Sequence, residues 1–131
     1  MKGGVFLSAI SGVLSLDNSV EIDEKILSKM LDNSKVYNPD KTITAHNKSK
    51  ELFLGTSLIH TTPYSLDQKI KYIIFNKEFL IAYDGRLNDR EALARKLEIP
   101  ADKVSDTYLL LCCYLKWGEN FLNEIDGDFA F

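Results

Sequence analysis

Two cysteines and two histidines are the side chains of this 131-residue chain whose chemistry first suggests a metal site or a disulfide. Cys112 and Cys113 are adjacent inside an apolar pattern of helical spacing, which is typical of small core residues. His46 lies in a polar connection and His60 beside two threonines, without cysteines or clustered carboxylates at ligand spacing. The sequence therefore predicts no metal site, no disulfide framework, and histidines on loops or on the surface.

The stretch VFLSAISGVLSLDN predicts a strand over residues 5–10, a bend at Gly12 and a turn at residues 17–18. Its side chains are small where a strand built only for packing would carry large ones: Ser8, Ala9, Ser11 and Gly12.

The composition predicts one globular domain, because 45% of the residues are hydrophobic and 11% are aromatic. The net charge of −3 gives no electrostatic reason to expect nucleic acid or an anionic membrane as a partner. No apolar stretch approaches the ~20 residues that span a bilayer, and the N-terminal apolar run is too short for a signal peptide. We therefore expect no membrane association and a cytoplasmic location.

The first half of the chain predicts one helix among short strands. Apolar residues at helical spacing indicate an amphipathic helix over residues 20–32. A polar connection follows, with one short strand around Ile43, and then strands at 52–54 and 57–59 with Gly55 between them.

The second half predicts a hairpin followed by two helices and a strand. The hairpin turns at residues 76–77, and residues 84–85 end its second strand. Asp89 is positioned to cap one helix, and a second runs from Asp106 to Trp117 before Gly118. This order of elements indicates an α+β domain with an antiparallel sheet.

The segment SDTYLLLCCYLKWGENFLNEIDGDFAF closely resembles the N-terminal glutaminase domain of the asparagine synthetase family, whose members carry S-D-T-E, then W-G, then L-D-G-x-F-A-F. Upstream, YDGRLNDREAL is similar to the family's N-G-E-I-Y-N-Y-R-E-L, YNPD to its H-R-G-P-D, and LSAISGVLSLD to its M-C-G-I-A-G-V. GTSLIHTTPYSL is similar to the T-T-P-E-S loop of the branch that closes lasso peptides or forms amides without glutamine. Together these motifs cover most of the chain in the family's order.

The resemblance implies an N-terminal nucleophile (Ntn) hydrolase fold, a four-layer αββα sandwich that residues 1–131 supply incompletely, stopping before its last strands. The parent would be an ATP-dependent amide ligase that activates a carboxylate as an adenylate. ATP and magnesium would belong to a separate synthetase domain absent from this chain, so no cofactor is expected here. The expected partners are that synthetase domain, in cis or in trans, a peptide or amino-acid substrate, and a second copy in a homodimer.

The same resemblance places the family's cysteine nucleophile at Ser8. In that fold the nucleophile is the first residue and its free α-amine acts as base. Seven residues precede Ser8, so its nitrogen is a peptide amide that cannot take a proton. The family's oxyanion hole, an Asn side chain and the next Gly amide, falls at Asp84 and Gly85, and losing one such donor costs roughly 3 kcal/mol. An ionised Asp84 offers only acceptors.

The glutamine-binding positions implied by the resemblance are also altered. The Arg that pairs with the substrate carboxylate falls at Ser57, and the acidic residue of N-G-E falls at Arg86. Asp106 retains the position that holds the substrate amine, but it is equally well placed as a helix N-cap. Gly85 likewise has a structural explanation, because a positive φ is expected there.

We therefore expect a domain that has lost glutamine hydrolysis and serves as a structural or substrate-docking module. One alternative is an active glutamine amidotransferase, with Ser8 exposed by removal of residues 1–7 or with catalytic groups recruited from elsewhere. The other is an interaction module that self-associates by strand addition at the edge formed by residues 129–131.

Overall fold

The computed structural model describes residues 8–17 and 22–131 and confirms the predicted α+β class. Within these residues the strands form three antiparallel sheets, in the orders β1-β3-β2, β4-β5 and β6-β7. The helices and strands are, in chain order, β1 Ala9–Leu14, α1 Glu24–Asn33, β2 Lys41–His46, β3 Leu52–Leu58, β4 Lys71–Ile74, β5 Lys77–Leu80, β6 Asp84–Leu87, α2 Arg90–Leu97, α3 Asp106–Trp117 and β7 Gly127–Ala130.

The central strand of the first sheet, β3, is continuous, so the prediction of two strands separated by Gly55 is wrong. Gly55 is buried under α1, and a Cβ atom at this position would lie 2.8 Å from Leu31 Cδ1. The glycine therefore marks the close approach of helix to sheet and not a break in the strand. The short strand predicted around Ile43 is confirmed as β2.

The outer strand β1 also extends further than predicted. Gly12 pairs with Leu54 of β3 in regular antiparallel register, so the predicted bend at Gly12 is wrong. Residues 5–7 of the predicted strand and residue 18 of the predicted turn lie outside the described residues. The strand places Ser8 directly at its N-terminal end.

Helix α1 begins at Glu24, later than predicted, because Asp23 is its N-cap: the Asp23 side chain accepts a hydrogen bond from the Lys25 amide at 2.9 Å. Residues 20 and 21, where the predicted helix starts, lie outside the described residues. The apolar face of α1 packs on the first sheet in a small cluster formed by Ile22, Leu27, Leu31 and Phe53. The helix thus covers one face of this sheet.

The predicted hairpin is present as β4 and β5, but its turn lies one residue earlier than expected. Phe75 and Asn76 occupy the turn with φ of 50° and 59°, whereas Lys77 already belongs to β5. The second strand ends at Leu80, so the prediction that residues 84–85 end it is wrong. Asp84 instead begins a separate strand, β6, which pairs with β7.

The two C-terminal helices match their predicted positions but differ at their caps. Asp89 occupies the N-cap of α2 with φ of 46°, and its side chain makes no capping hydrogen bond. The cap of α3 is Ser105, whose hydroxyl accepts from the Tyr108 amide, so the prediction of Asp106 as cap is wrong by one residue. Gly118 ends α3 with φ of 58°, as predicted.

The main core lies between α2, α3 and the β6-β7 sheet. Leu93 and Leu109 pack there against Leu87 and Phe129, and Cys113 is completely buried among them. Cys113 is thus a core residue, as predicted, and burial raises the pKa of its thiol to about 12. Cys112 is only partly buried, so its prediction as a core residue is wrong. No helix within residues 8–17 and 22–131 is long and apolar enough to cross a membrane.

Arg90, the first residue of α2, connects this core to the loop before α3. Its side chain is about 9% exposed, and Nε donates to Asp106 Oδ1 at 2.7 Å. The other two guanidinium nitrogens donate to the carbonyl oxygens of Ala101 and Val104. The ring of Tyr64 stacks on the guanidinium, with 3.6 Å between Cζ and the ring centroid.

The β6-β7 pair depends on two glycines in backbone conformations that other residues rarely adopt. Gly85 has φ of 143°, and a Cβ there would lie 2.5 Å from Phe129 Cα and would overlap the Asp128 carbonyl. Gly127 has φ of 151° and faces the Arg86 carbonyl in the same way. The positive φ expected at Gly85 is therefore confirmed, inside a strand.

Replacing Arg90 with methionine should lower the free energy of unfolding by about 3–5 kcal/mol, because it leaves a buried carboxylate and two carbonyls without their donor. Arg95→Met, at an exposed position of the same helix, is the matched control and should change stability by less than about 0.5 kcal/mol. Urea denaturation of both variants measures the difference. Equal stability of the two would show that the Arg90 contacts do not hold the helices together.

Replacing Gly85 with alanine should destabilise the domain more than Gly118→Ala does. Both residues have positive φ, but no atom lies within 4 Å of a Cβ at Gly118, so alanine there meets only the backbone cost of about 1–3 kcal/mol. At Gly85 the methyl group would also collide with the backbone of β7, which should add at least about 2 kcal/mol. Thermal unfolding of the two variants compares them, and equal losses would rule out the collision.

Candidate functional site

Four of the five residues proposed for the site line one small cavity. Ser8 comes from the start of β1, Asp84 and Gly85 from the start of β6, and Asp106 from the start of α3. The ends of three elements that are far apart in the sequence thus meet at one point. The fifth residue, Ser57, does not line this cavity.

The cavity has a volume of only about 20 Å³. A space of that size accommodates about one water molecule, whereas clefts for small-molecule ligands usually measure about 300–1,000 Å³. Its walls also include Gln68 and Tyr83, both buried. In this conformation the cavity has no room for an amino acid.

The Ser8 hydroxyl is held by the backbone of the segment after β3. Its Oγ accepts a hydrogen bond from the Ile59 amide at 3.0 Å. A serine nucleophile needs a neighbouring base within hydrogen-bond reach. Among the described residues the partner of this oxygen is a backbone amide, which donates and cannot accept the serine proton.

Gly85 contributes a hydrogen-bond donor to the cavity wall, whereas Asp84 contributes acceptors. The backbone amide of Gly85 is a donor. This residue has no side chain, and the space where a Cβ would lie is occupied by the backbone of β7. The Asp84 side chain is partly exposed, and as a carboxylate it presents only acceptor oxygens. A negative charge developing next to it would be repelled, and not stabilised as in an oxyanion hole.

Asp106 already has a cationic partner inside the protein. Its side chain is about 10% exposed and forms the ion pair with Arg90 described above. A carboxylate paired in this way has less charge available for a substrate amine. Asp106 thus has a structural role, because it holds the Arg90 side chain.

Tyr83 is a buried tyrosine in the wall of this cavity. Burial raises the pKa of its phenol, and the negative charges of Asp106 and Asp84 add to that effect. The hydroxyl has no hydrogen-bond partner among the described residues. It remains protonated at neutral pH and so cannot serve as a base.

Ser57 lies on the face of β3 that α1 covers. It is almost completely buried, and its hydroxyl is hydrogen-bonded to the hydroxyl of Ser34. Neither residue carries a charge that could hold a substrate carboxylate.

Arg86 lies next to the small cavity, in the wall of a much larger cleft of about 750 Å³. Thr62 and Asp106 line both spaces, and Arg90 and Arg95 add two more cations to the large cleft. The acidic side chains along the same walls are Asp89, Glu91, Asp106 and Asp126. The cleft therefore offers both signs of charge to a ligand.

Sequence reasoning missed three residues that shape the site: Ile59, Gln68 and Arg90. Ile59 acts through its backbone amide, which no side-chain pattern can reveal. Gln68 donates to the Tyr83 carbonyl at 2.9 Å, and a buried glutamine in a loop has no sequence signature. Arg90 had a signal, because it is part of the DREAL segment that matches the family's R-E-L.

Metal and thiol chemistry find no support in the part of the chain that the structure describes. Within it, no group of three or more His, Cys, Asp or Glu side chains could hold a metal ion.

His60, as predicted, lies in a loop, where its Nδ1 is 3.0 Å from Ser65 Oγ. His46 is the last residue of β2, partly buried with its ring packed on Phe53, so its prediction as a loop or surface residue is wrong. Burial also raises the pKa of the Cys112 thiol.

A comparison with family models gives one match, to the glutamine amidotransferase domain, over residues 65–131. The matched segment contains Asp84, Gly85 and Asp106, and it begins after Ser8 and Ser57. No curated protein and no solved structure matches the chain significantly. The match spans half of the chain and includes three of the four residues that meet at the cavity, so the chain belongs to the glutamine amidotransferase domain family.

Proposed function

We propose that this chain is the N-terminal glutaminase-like domain of an asparagine-synthetase-like, ATP-dependent amide ligase, and that it does not hydrolyse glutamine. It acts instead as a structural or substrate-docking module. The observation that carries this proposal is the small volume, about 20 Å³, of the cavity at the point where Ser8, Asp84, Gly85 and Asp106 meet. The family match supports the amidotransferase part of the proposal.

The reaction needs a nucleophile whose proton is removed as it attacks the glutamine amide. Ser8 offers a hydroxyl in place of a thiol, and its Oγ is occupied by the Ile59 amide. Its own nitrogen is part of a peptide bond in the chain as given. Both features oppose formation of an acyl-enzyme.

Glutamine recognition needs a cation for the substrate carboxylate, an acid for its amine and donors for the oxyanion. The cation is replaced by Ser57, which is buried against Ser34. The acid, Asp106, is paired with Arg90, and one oxyanion donor is replaced by the acceptor Asp84. Of the required set, the Gly85 amide remains.

The large cleft beside the cavity supports the docking role. Its volume of about 750 Å³ lies within the range of small-molecule and peptide-fragment sites. The cleft suits a ligand that carries both charges, such as an amino acid or a short peptide. Its walls contain the cations Arg86 and Arg95 and the acids Asp89 and Glu91. The TTPYS segment, similar to the branch that closes lasso peptides, contributes Thr62 and Tyr64 to this wall.

The arrangement of layers supports an Ntn-hydrolase sandwich as the complete fold. Helix α1 covers one face of the β1-β3-β2 sheet, and α2 with α3 covers one face of the β6-β7 sheet. In this proposal the activity of the parent, with its ATP and magnesium, resides in a synthetase domain that meets this one in cis or in trans.

A glutaminase assay on the purified chain tests the proposal. We expect wild-type protein and Ser8→Ala to release no glutamate above the buffer rate, because nucleophile, base and oxyanion donor are all compromised. Glutamate release by the wild type that Ser8→Ala abolishes would overturn the proposal. Mass spectrometry of the N-terminus belongs to the same experiment, since loss of residues 1–7 together with activity would establish the processed amidotransferase.

A further inference from the structure

A second pocket, separate from the glutaminase-like site, lies where the segment before β4 meets the start of α3. Its volume is about 520 Å³, and none of its lining residues belongs to the small cavity or to the cleft described above. Most small-molecule sites have this size, with apolar and aromatic walls and a few placed polar groups. This pocket has that composition.

The walls of the pocket are apolar and aromatic. Ile99, Pro100 and Val104 line it together with the rings of Tyr72 and Tyr108. The two rings are tilted by 50°, with centroids 5.8 Å apart. Such a surface accommodates a flat ring or a branched aliphatic group.

Hydrogen bonds fix the position of Tyr72 within this wall. Its hydroxyl is 2.6 Å from Thr107 Oγ1 and 3.2 Å from Ser105 Oγ, and these two hydroxyls are themselves 3.1 Å apart. Ser105 and Thr107 are buried at the start of α3. The ring is therefore ordered before any ligand arrives, which reduces the entropic cost of binding.

The charged residues that line the pocket carry a net positive charge, in a protein whose net charge is −3. They are Lys69, Lys103 and one acid, Asp67. Both lysines are exposed, and neither forms an ion pair with any of the residues that the structure describes. The neighbouring Cys112 and partial burial raise the pKa of Tyr108, so its phenol adds no negative charge at neutral pH.

We propose that this pocket binds a small carboxylate with an aromatic or branched aliphatic body. The carboxylate lies between Lys69 and Lys103, and the body lies on Tyr72 and Tyr108. Neither lysine is part of the glutaminase-like site, so this binding does not depend on the function proposed for that site.

Titration of ¹⁵N-labelled protein with phenylacetate and with isovalerate, followed by amide chemical shifts, tests the proposal. We expect saturable shifts confined to residues around the pocket, including Lys103, Ser105 and Tyr108. Phenylacetamide, which has the same ring without the charge, should bind at least about fivefold more weakly, the equivalent of one exposed charge interaction.

The variants Lys69→Gln and Lys103→Gln should each weaken phenylacetate binding by roughly fivefold. Lys77→Gln is the matched control, because Lys77 is exposed at the start of β5 and lies outside the pocket lining, and it should bind like the wild type. Absence of saturable shifts with either carboxylate would overturn the proposal. Equal affinity for phenylacetamide, or equal loss in all three variants, would do the same.

Discussion

A single buried guanidinium determines how the C-terminal half of this domain is arranged. Arg90 is attached to α2, but its partners lie in the connection before α3, in α3 itself and in the ring of Tyr64. An arginine can satisfy partners in several directions because its five N–H groups lie in one rigid plane. The two helices and the loop that carries Tyr64 are thereby held in one relative position. Residues of both helices and of that loop line the large cleft, and Asp106 of α3 also lines the small cavity.

The same contact connects structure to function. Asp106 is in the position that the family resemblance assigns to the substrate amine, and the ion pair with Arg90 makes that carboxylate part of the core. Removing one partner of such a pair leaves the other charge buried and unpaired, so Asp106 and Arg90 depend on each other. A residue can therefore stay in its family position for a structural reason after its contact with substrate is lost. The presence of Asp106 alone is weak evidence for glutamine binding.

Local patterns predicted the elements that local forces determine. Helix α3 was predicted with its bounds because its apolar spacing is regular and Gly118 ends it, and the α+β class followed from the order of elements. The errors came from contacts between distant residues. Gly55 is typical of a strand break, but it lies inside β3 because α1 packs closely against it. Asp84 is typical of a strand end, but it begins β6 because β7 pairs with it. For the same reason the sequence identified Ser8 and Asp106 as site positions by resemblance but could not indicate the size of the cavity between them.

The pairing of β6 with β7 also has a consequence for how the chain folds. These strands are separated by roughly 40 residues that include both α2 and α3, and bringing their ends together costs about 3 kcal/mol of chain entropy if the intervening chain is unstructured. Once the helices form and pack, most of that separation is already closed. We therefore expect α2 and α3 to form and pack early, and Gly85 of β6 and Gly127 of β7 to pair late. The cavity wall that contains Asp84 and Gly85 is then among the last parts of the domain to fold.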